Sequence, residues 1–247
     1  MIEIISGMIQ LPAELDRDSA GAVYASRGVI KAVLGQNLEA IADFDKAIRL
    51  HPDYTDAYAY RGAVKAVLGQ NLEAIADFNK AIELDPDNPN VYANRGKAKM
   101  NLNQYWAKMN LNQNLEAIAD FNKAIELDPD YADAYANRSM SKAALRQYLE
   151  AIADCNKAIE LDPDYADAYA YRGRANALLN QNLEAIADFD KAIELDPDYA
   201  YAYFFRGRAR RSTGHANQAE SDKRTAYRLA GRTTGKDPML PRCYFTL

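Results

Sequence analysis

The sequence predicts an all-α protein, an α-solenoid of about six helix–turn–helix repeats of 34 residues, one of which carries a nine-residue insertion. Three observations point there. The stretch Gln-Asn-Leu-Glu-Ala-Ile-Ala-Asp-Phe-(Asp/Asn)-Lys-Ala-Ile recurs from Gln36, Gln70, Gln113 and Gln181, and with Tyr148 and Cys155 substituted from Gln147. Pro52, Pro86, Pro129, Pro163 and Pro197 are separated by 34, 43, 34 and 34 residues. Each period holds two segments of about thirteen residues, too long for a typical strand and suited to a helix of three to four turns.

The elements follow in order. Residues 1–20 match no repeat, and their apolar stretch Ile2 to Leu11 is expected to form a lead-in that covers the first repeat. In the first repeat one helix is expected from Ala22 to about Leu34, ending at Gly35-Gln36, and a second from about Leu38 to Leu50, stopped by Pro52. At 100° per residue Tyr24, Gly28 and Lys31 share one stripe, as do Ala40, Phe44 and Ala47 on the second helix. The stripes should face each other, with Gly28 and Ala40 permitting close approach and Tyr24 and Phe44 filling the volume. Asp53, with Asp56 three residues on, is expected to cap the next first helix, and Asn37, Asn71, Asn114 and Asn182 the second helices. The repeats fall at 21–54, 55–88, 89–131, 132–165, 166–199 and 200–231, with 232–247 a C-terminal tail expected to leave Cys243 accessible.

A 34-residue helical hairpin with an aromatic residue, Gly four residues on, Ala-x-x-x-Phe-x-x-Ala and a closing Pro resembles the tetratricopeptide repeat. The columns are Tyr24, Tyr58, Tyr92, Tyr135, Tyr169 and Tyr203; Phe44, Phe78, Phe121, Cys155 and Phe189; and the five prolines. The chain departs from that pattern in informative places. Arg27, Arg61, Arg95, Arg138, Arg172 and Arg206 occupy a slot where the family has leucine, and are read as stems packed on the helix flank whose guanidiniums reach the Asp43 column. In the fourth repeat Ser139 replaces Gly and Cys155 replaces Phe, which makes Cys155 a small buried hydrophobe. In the sixth, Lys223 and Gly231 take the Phe and Pro slots, giving the polar outer helix of a terminal cap.

The insertion duplicates Ala-Lys-Met-Asn-Leu-Asn-Gln at 98–104 and 107–113, without a Gly or Pro between. The first helix of the third repeat is therefore expected to lengthen, by about 13.5 Å if it takes all nine residues, or to form a helical protrusion. Two readings stay open: a protein contact built on Trp106, Met109 and Leu111, or an insertion accommodated in a loop.

Composition bounds the function. The chain is 49% apolar and 26% charged, as in soluble globular proteins, and has neither a membrane-length apolar run nor the pattern of a signal peptide, so the expectation is cytoplasmic. Cys155 and Cys243 lack metal-binding spacing. The total charge of −5 divides into +7 from Ala200 onward and −12 before it. His51 and His215 are far apart, and there is no phosphate loop or His-Glu-x-x-His motif, so neither an enzyme nor a cofactor is expected.

The less uniform positions lie on the first helices, about 140–200° from the Tyr24 column. They are Asp56, Tyr60, Asn90, Asn94, Lys97, Asp133, Asn137, Met140, Asp167, Tyr171, Arg174, Tyr201, Phe205 and Arg208. The resemblance implies that first helices line the concave side of a right-handed superhelix that grips peptides or partner helices. These residues are then the candidate groove of a non-catalytic protein-interaction scaffold. The family's dicarboxylate clamp is not expected: Asn94 is flanked by Ala59, Ala63 and Asp133, and Asn137 by Ala93, Lys97 and Asp167, where lysines are required. The alternatives are nucleic acid or an acidic partner bound by Arg206, Arg208, Arg210, Arg211, Lys223, Arg224, Arg228 and Arg232, and head-to-tail self-association into a homo-oligomer.

Overall fold

A computed structural model describes residues 17–105 and 111–232. They form twelve helices and no strand: α1 (Arg17–Val33), α2 (Asn37–Leu50), α3 (Thr55–Val67), α4 (Asn71–Leu84), α5 (Pro89–Tyr105), α6 (Leu111–Leu127), α7 (Ala132–Ala144), α8 (Tyr148–Leu161), α9 (Ala166–Leu178), α10 (Asn182–Leu195), α11 (Ala200–Ser212) and α12 (Ala216–Arg232). Most of the expected lead-in, Trp106, Met109 and the tail with Cys243 lie outside the described residues. No described helix is long and apolar enough to cross a membrane. The chain divides at Leu102 and Asn103 into two compact units. In the first, the hairpins α1–α2 and α3–α4 stack through α2 and α3; in the second, α7–α8, α9–α10 and α11–α12 stack in series, with α6 packed on α7.

The facing stripes meet as the periodicity implies. Ala40, Phe44 and Ala47 are fully buried, as are their counterparts Ala185, Phe189 and Ala192. A Cβ on Gly28 would stand 2.7 Å from Phe44 Cε1, and one on Gly173 would stand 3.1 Å from Phe189 Cε1. Glycine is thus required by the ring of its own repeat. In the fourth repeat Ser139 takes that space, and its Oγ accepts the Cys155 thiol at 3.1 Å and donates to the Ala136 carbonyl at 2.6 Å.

The arginine column does more than the sequence suggested. Arg172 reaches Asp188 of its own repeat (Nη2 to Oδ1, 2.6 Å) and, with Nη1, Asn156 of the preceding one at 2.7 Å. Arg61 joins Asp77 and Asp45 in the same way, Arg138 joins Asp154 and Asn122, and Arg206 joins Asp222 and Asp190. Each guanidinium also lies over its repeat's tyrosine, 5.4 Å from the centroid for Arg172 on Tyr169. The column therefore pins one repeat to the next, which explains why Asp or Asn recurs after the Phe slot.

Asp43 accepts from Arg27 Nε at 2.7 Å and pairs with Lys31 Nζ at 2.7 Å. Burial alone would raise this carboxyl, but the bonds from Arg27 and Lys31 outweigh it and hold the pKa below the ordinary 3.8. A depressed folded-state pKa stabilises above the unfolded value and is lost as pH falls through the folded one. Asp43→Asn is thus expected to melt below the wild type near neutral pH, with the gap closing as the pH is taken below 3.8. Thermal unfolding of both proteins across that range is the check.

The caps differ from expectation. The residues before α3, α7, α9 and α11 are Tyr54, Tyr131, Tyr165 and Tyr199, and none makes a side-chain cap bond. The aspartate after α4, α6, α8 and α10 instead folds over the proline: Asp162 Oδ1 accepts the Asp164 N–H at 3.1 Å, and Asp85, Asp128 and Asp196 do the same. Asn88 is the exception, accepting from Asn90 N–H at 3.1 Å just before Pro89 opens α5. Second helices start from Gln36, Gln70, Gln147 and Gln181, so Asn37, Asn71 and Asn182 are first helical residues and not caps. Asn114 lies further inside its helix, because α6 begins three residues earlier.

The first helices other than α5 close with a left-handed residue, as at Gly35 with φ +74°, followed by the Gln36 N–H to Lys31 carbonyl bond at 2.9 Å. Arg146 adopts this conformation at φ 63° and Asn180 at φ 61°. Arg146→Gly is expected to raise stability by about 1 kcal/mol, measured by denaturant unfolding, because arginine bears a Cβ penalty there.

The described ends of the insertion lengthen both neighbouring helices. α5 and α6 each have 17 residues, against 13 in α3 and 14 in α4. At the C-terminal end, Glu220, Arg224 and Tyr227 occupy the slots of Ile186, Asp190 and Ile193. Arg224 thus stands where Asp190 accepts from Arg206 in the preceding repeat.

Candidate functional site

The candidate positions fall in both units. In the first, Asp56 and Asn90 are exposed, Tyr60 is partly buried with its ring 6.0 Å from Phe44, and Asn94 and Lys97 are buried. In the second, Arg208 is exposed, Asp133, Met140 and Arg174 are partly buried, and Asn137, Asp167, Tyr171, Tyr201 and Phe205 are buried. Leu111 opens α6 and is 57% exposed, while Trp106 and Met109 lie outside the described residues.

Burial changes the character expected of the surface. In the second unit the first helices α7, α9 and α11 touch directly, and their aromatic side chains close on one another. Tyr201 stacks on Tyr199 at 5.8 Å, tilts on Phe205 at 4.6 Å and meets Tyr171 edge-on at 6.1 Å. The result is a packed aromatic wall with polar groups set into it.

At one end Asp133 Oδ1 accepts from Tyr165 OH at 2.8 Å and from Asn137 Nδ2 at 3.0 Å. Burial, reinforced by Asp133, pushes the Tyr165 phenol well above 10. At the other end Arg174 Nη1 donates to Tyr201 OH at 3.2 Å, and the Tyr201 hydroxyl faces Met140 Sδ at 4.0 Å. Tyr201, acting against burial, raises the Arg174 pKa further above its ordinary value. Arg174 lies 4.9 Å and Arg208 5.7 Å from the Phe205 ring centroid.

Sequence reasoning missed Tyr165 and Tyr199, because both lie in the copied Asp-Pro-Asp-Tyr text. Their signal was the tyrosine column at Tyr54, Tyr131, Tyr165 and Tyr199, broken by Asn88. Part of the basic C-terminal stripe is spent internally. Arg206 and Arg210 bond Asp222 and Asp190, and Arg211 and Arg224 flank Glu220. Lys223 and Arg228 remain exposed, and the Arg232 side chain is outside the described residues.

A model described as TPR repeat matches residues 66–103, 107–138 and 173–214, and two described as tetratricopeptide repeat match 132–165 and 155–187. The chain belongs to the tetratricopeptide repeat family. Among solved structures, this tetratricopeptide repeat chain is similar to YrrB, a TPR protein with an unusual peptide-binding site, at 25% identity and TM-score 0.58, over 76% of this chain and 91% of that one. It is also similar to PilW, a type IV pilus biogenesis factor, at 20% identity and TM-score 0.71, over 89% and 96%. A tetratricopeptide repeat protein from Parabacteroides merdae aligns at 20% identity and TM-score 0.73, over 96% and 89%. Among curated proteins, none matches the chain.

Proposed function

We propose that this tetratricopeptide repeat protein is a protein-interaction scaffold without catalysis of its own, and that the wall formed by α7, α9 and α11 receives a peptide or partner segment. The observation that carries this is the departure of that wall from the copied frame. The frame columns bond to one another, whereas the wall sets Asp133, Met140, Arg174 and Arg208 over buried aromatic rings. Aromatic residues and arginine next to desolvated rings are the groups that dominate protein contacts. The likeness to YrrB, described by its peptide-binding site, supports the same class of ligand. In the first unit, Asp56, Tyr60, Asn90, Asn94 and Lys97 on α3 and α5 hold the equivalent columns, of which Asp56 and Asn90 are exposed.

The test uses random dodecapeptides selected on the protein and a photo-crosslinking residue placed either at Met140 on α7 or at Leu183 on the outer edge of α10. Crosslinks from position 140 and none from position 183 are expected. The reverse pattern would overturn the assignment.

A further inference from the structure

Nearly every arginine of the repeat frame ends on an aspartate: Arg27, Arg61, Arg138, Arg172, Arg206 and Arg210 all do. Arg174 and Arg208 do not. Among the described residues Arg174 bonds only the Tyr201 hydroxyl and covers the Phe205 ring, and Arg208 is exposed against the same ring. They belong to a column that is otherwise Val29, Ala63, Lys97 and Met140, so the frame does not need arginine there.

We propose that Arg174 and Arg208 are an anion-receiving pair that selects partner segments bearing aspartate or glutamate side chains; this rests on α7, α9 and α11 being the peptide-binding wall. Arg174 and Arg208 both lie against the Phe205 ring, and neither has a carboxylate partner among the described residues, so both keep N–H donors for an incoming anion. A carboxylate suits the site because each planar fork can offer it two parallel N–H donors. Tyr201 fixes the direction of Arg174, since its hydroxyl holds Nη1 at 3.2 Å while the ring system holds the guanidinium plane. Arg208, being exposed, is the group an incoming segment meets first. The acid preference would then be local to α9 and α11, although the chain as a whole carries −5.

The experiment selects phage-displayed random dodecapeptides on the wild type and on Arg174→Gln/Arg208→Gln, after thermal unfolding shows the variant folded. Arg208→Gln alone serves as the second variant, since an exposed side chain bears little on folding. Wild-type selections are expected to be enriched in Asp and Glu by at least about threefold over the starting library, and variant selections not to be. A selected peptide resynthesised with Asn and Gln in place of its acids is expected to bind the wild type about tenfold or more weakly and the variant unchanged. Selections without acid bias, or with equal bias on both proteins, overturn the anion pair; if those peptides still crosslink at position 140, the wall survives as the binding surface. Crosslinking only at position 183, or no selectable peptide, removes both.

Discussion

Arg172→Leu is expected to destabilise the second unit by about 3–5 kcal/mol, among the largest losses from any single substitution here. The residue it abandons, Asp188, has a side chain only 8% exposed and would keep Asn176 Nδ2, at 2.9 Å, as its remaining hydrogen-bond donor from the cluster. The cost comes from a buried carboxylate without a counter-charge, and it adds to the loss of the Asn156 bond that ties α9 to the preceding repeat. Arg172→Leu/Asp188→Leu is expected to recover most of the stability, because two apolar side chains replace the pair without leaving a charge. Denaturant unfolding of the two single variants and the double variant measures the coupling. A single-variant loss below about 1 kcal/mol, the range of a surface ion pair, would show that the column does not pin the repeats.

The second large effect concerns the pair that departs from the family pattern. Cys155→Phe alone is expected to cost about 1–3 kcal/mol, since a ring there meets the Ser139 side chain where the other repeats have only a glycine hydrogen. Ser139→Gly alone loses the hydroxyl bonds, opens space and adds helix flexibility, costing about 1 kcal/mol. Together they restore the arrangement of Gly173 and Phe189, and the double variant is expected to exceed the wild type by about 1–2 kcal/mol through the added apolar burial. Additive losses would contradict the geometry. Burial also pushes the Cys155 thiol up to about 12, so it should resist thiol reagents until the protein unfolds.

The frame was readable because copying repeats the same physical demand in every unit. Gly28 and Phe44 announce a close approach, and Pro52 a stop, whichever copy is inspected. The Ser139 and Cys155 exchange was readable as one volume traded for another. The caps were not readable, because Leu-Asp-Pro-Asp-Tyr offers two carboxylates for one turn. The proline brings the second aspartate's N–H to the first aspartate's side chain, and this local bond wins over the expected helix cap. The inter-repeat half of the arginine bond was also hidden, since Arg172 and Asn156 meet only once helices pack.

The candidate wall was half legible. Non-uniform columns at helical spacing singled out Tyr171, Arg174, Tyr201 and Phe205, but periodicity assigns a face without saying how tightly neighbours close on it. Tyr201 is 1% exposed because Tyr199 and Phe205 cover it, and no pattern within a single helix reports that. That Arg174 and Arg208 lack an aspartate partner among the described residues likewise appears only once the frame arginines have been placed on theirs.

The central claim is that the copied second helices are frame and the first helices bind. Amide hydrogen exchange of the protein with and without a library-selected dodecapeptide tests it most directly. Slowed exchange confined to α7, α9 and α11, with α8, α10 and α12 unchanged, is the predicted result; slowing concentrated on the second helices or on the outer side of α12 would contradict it.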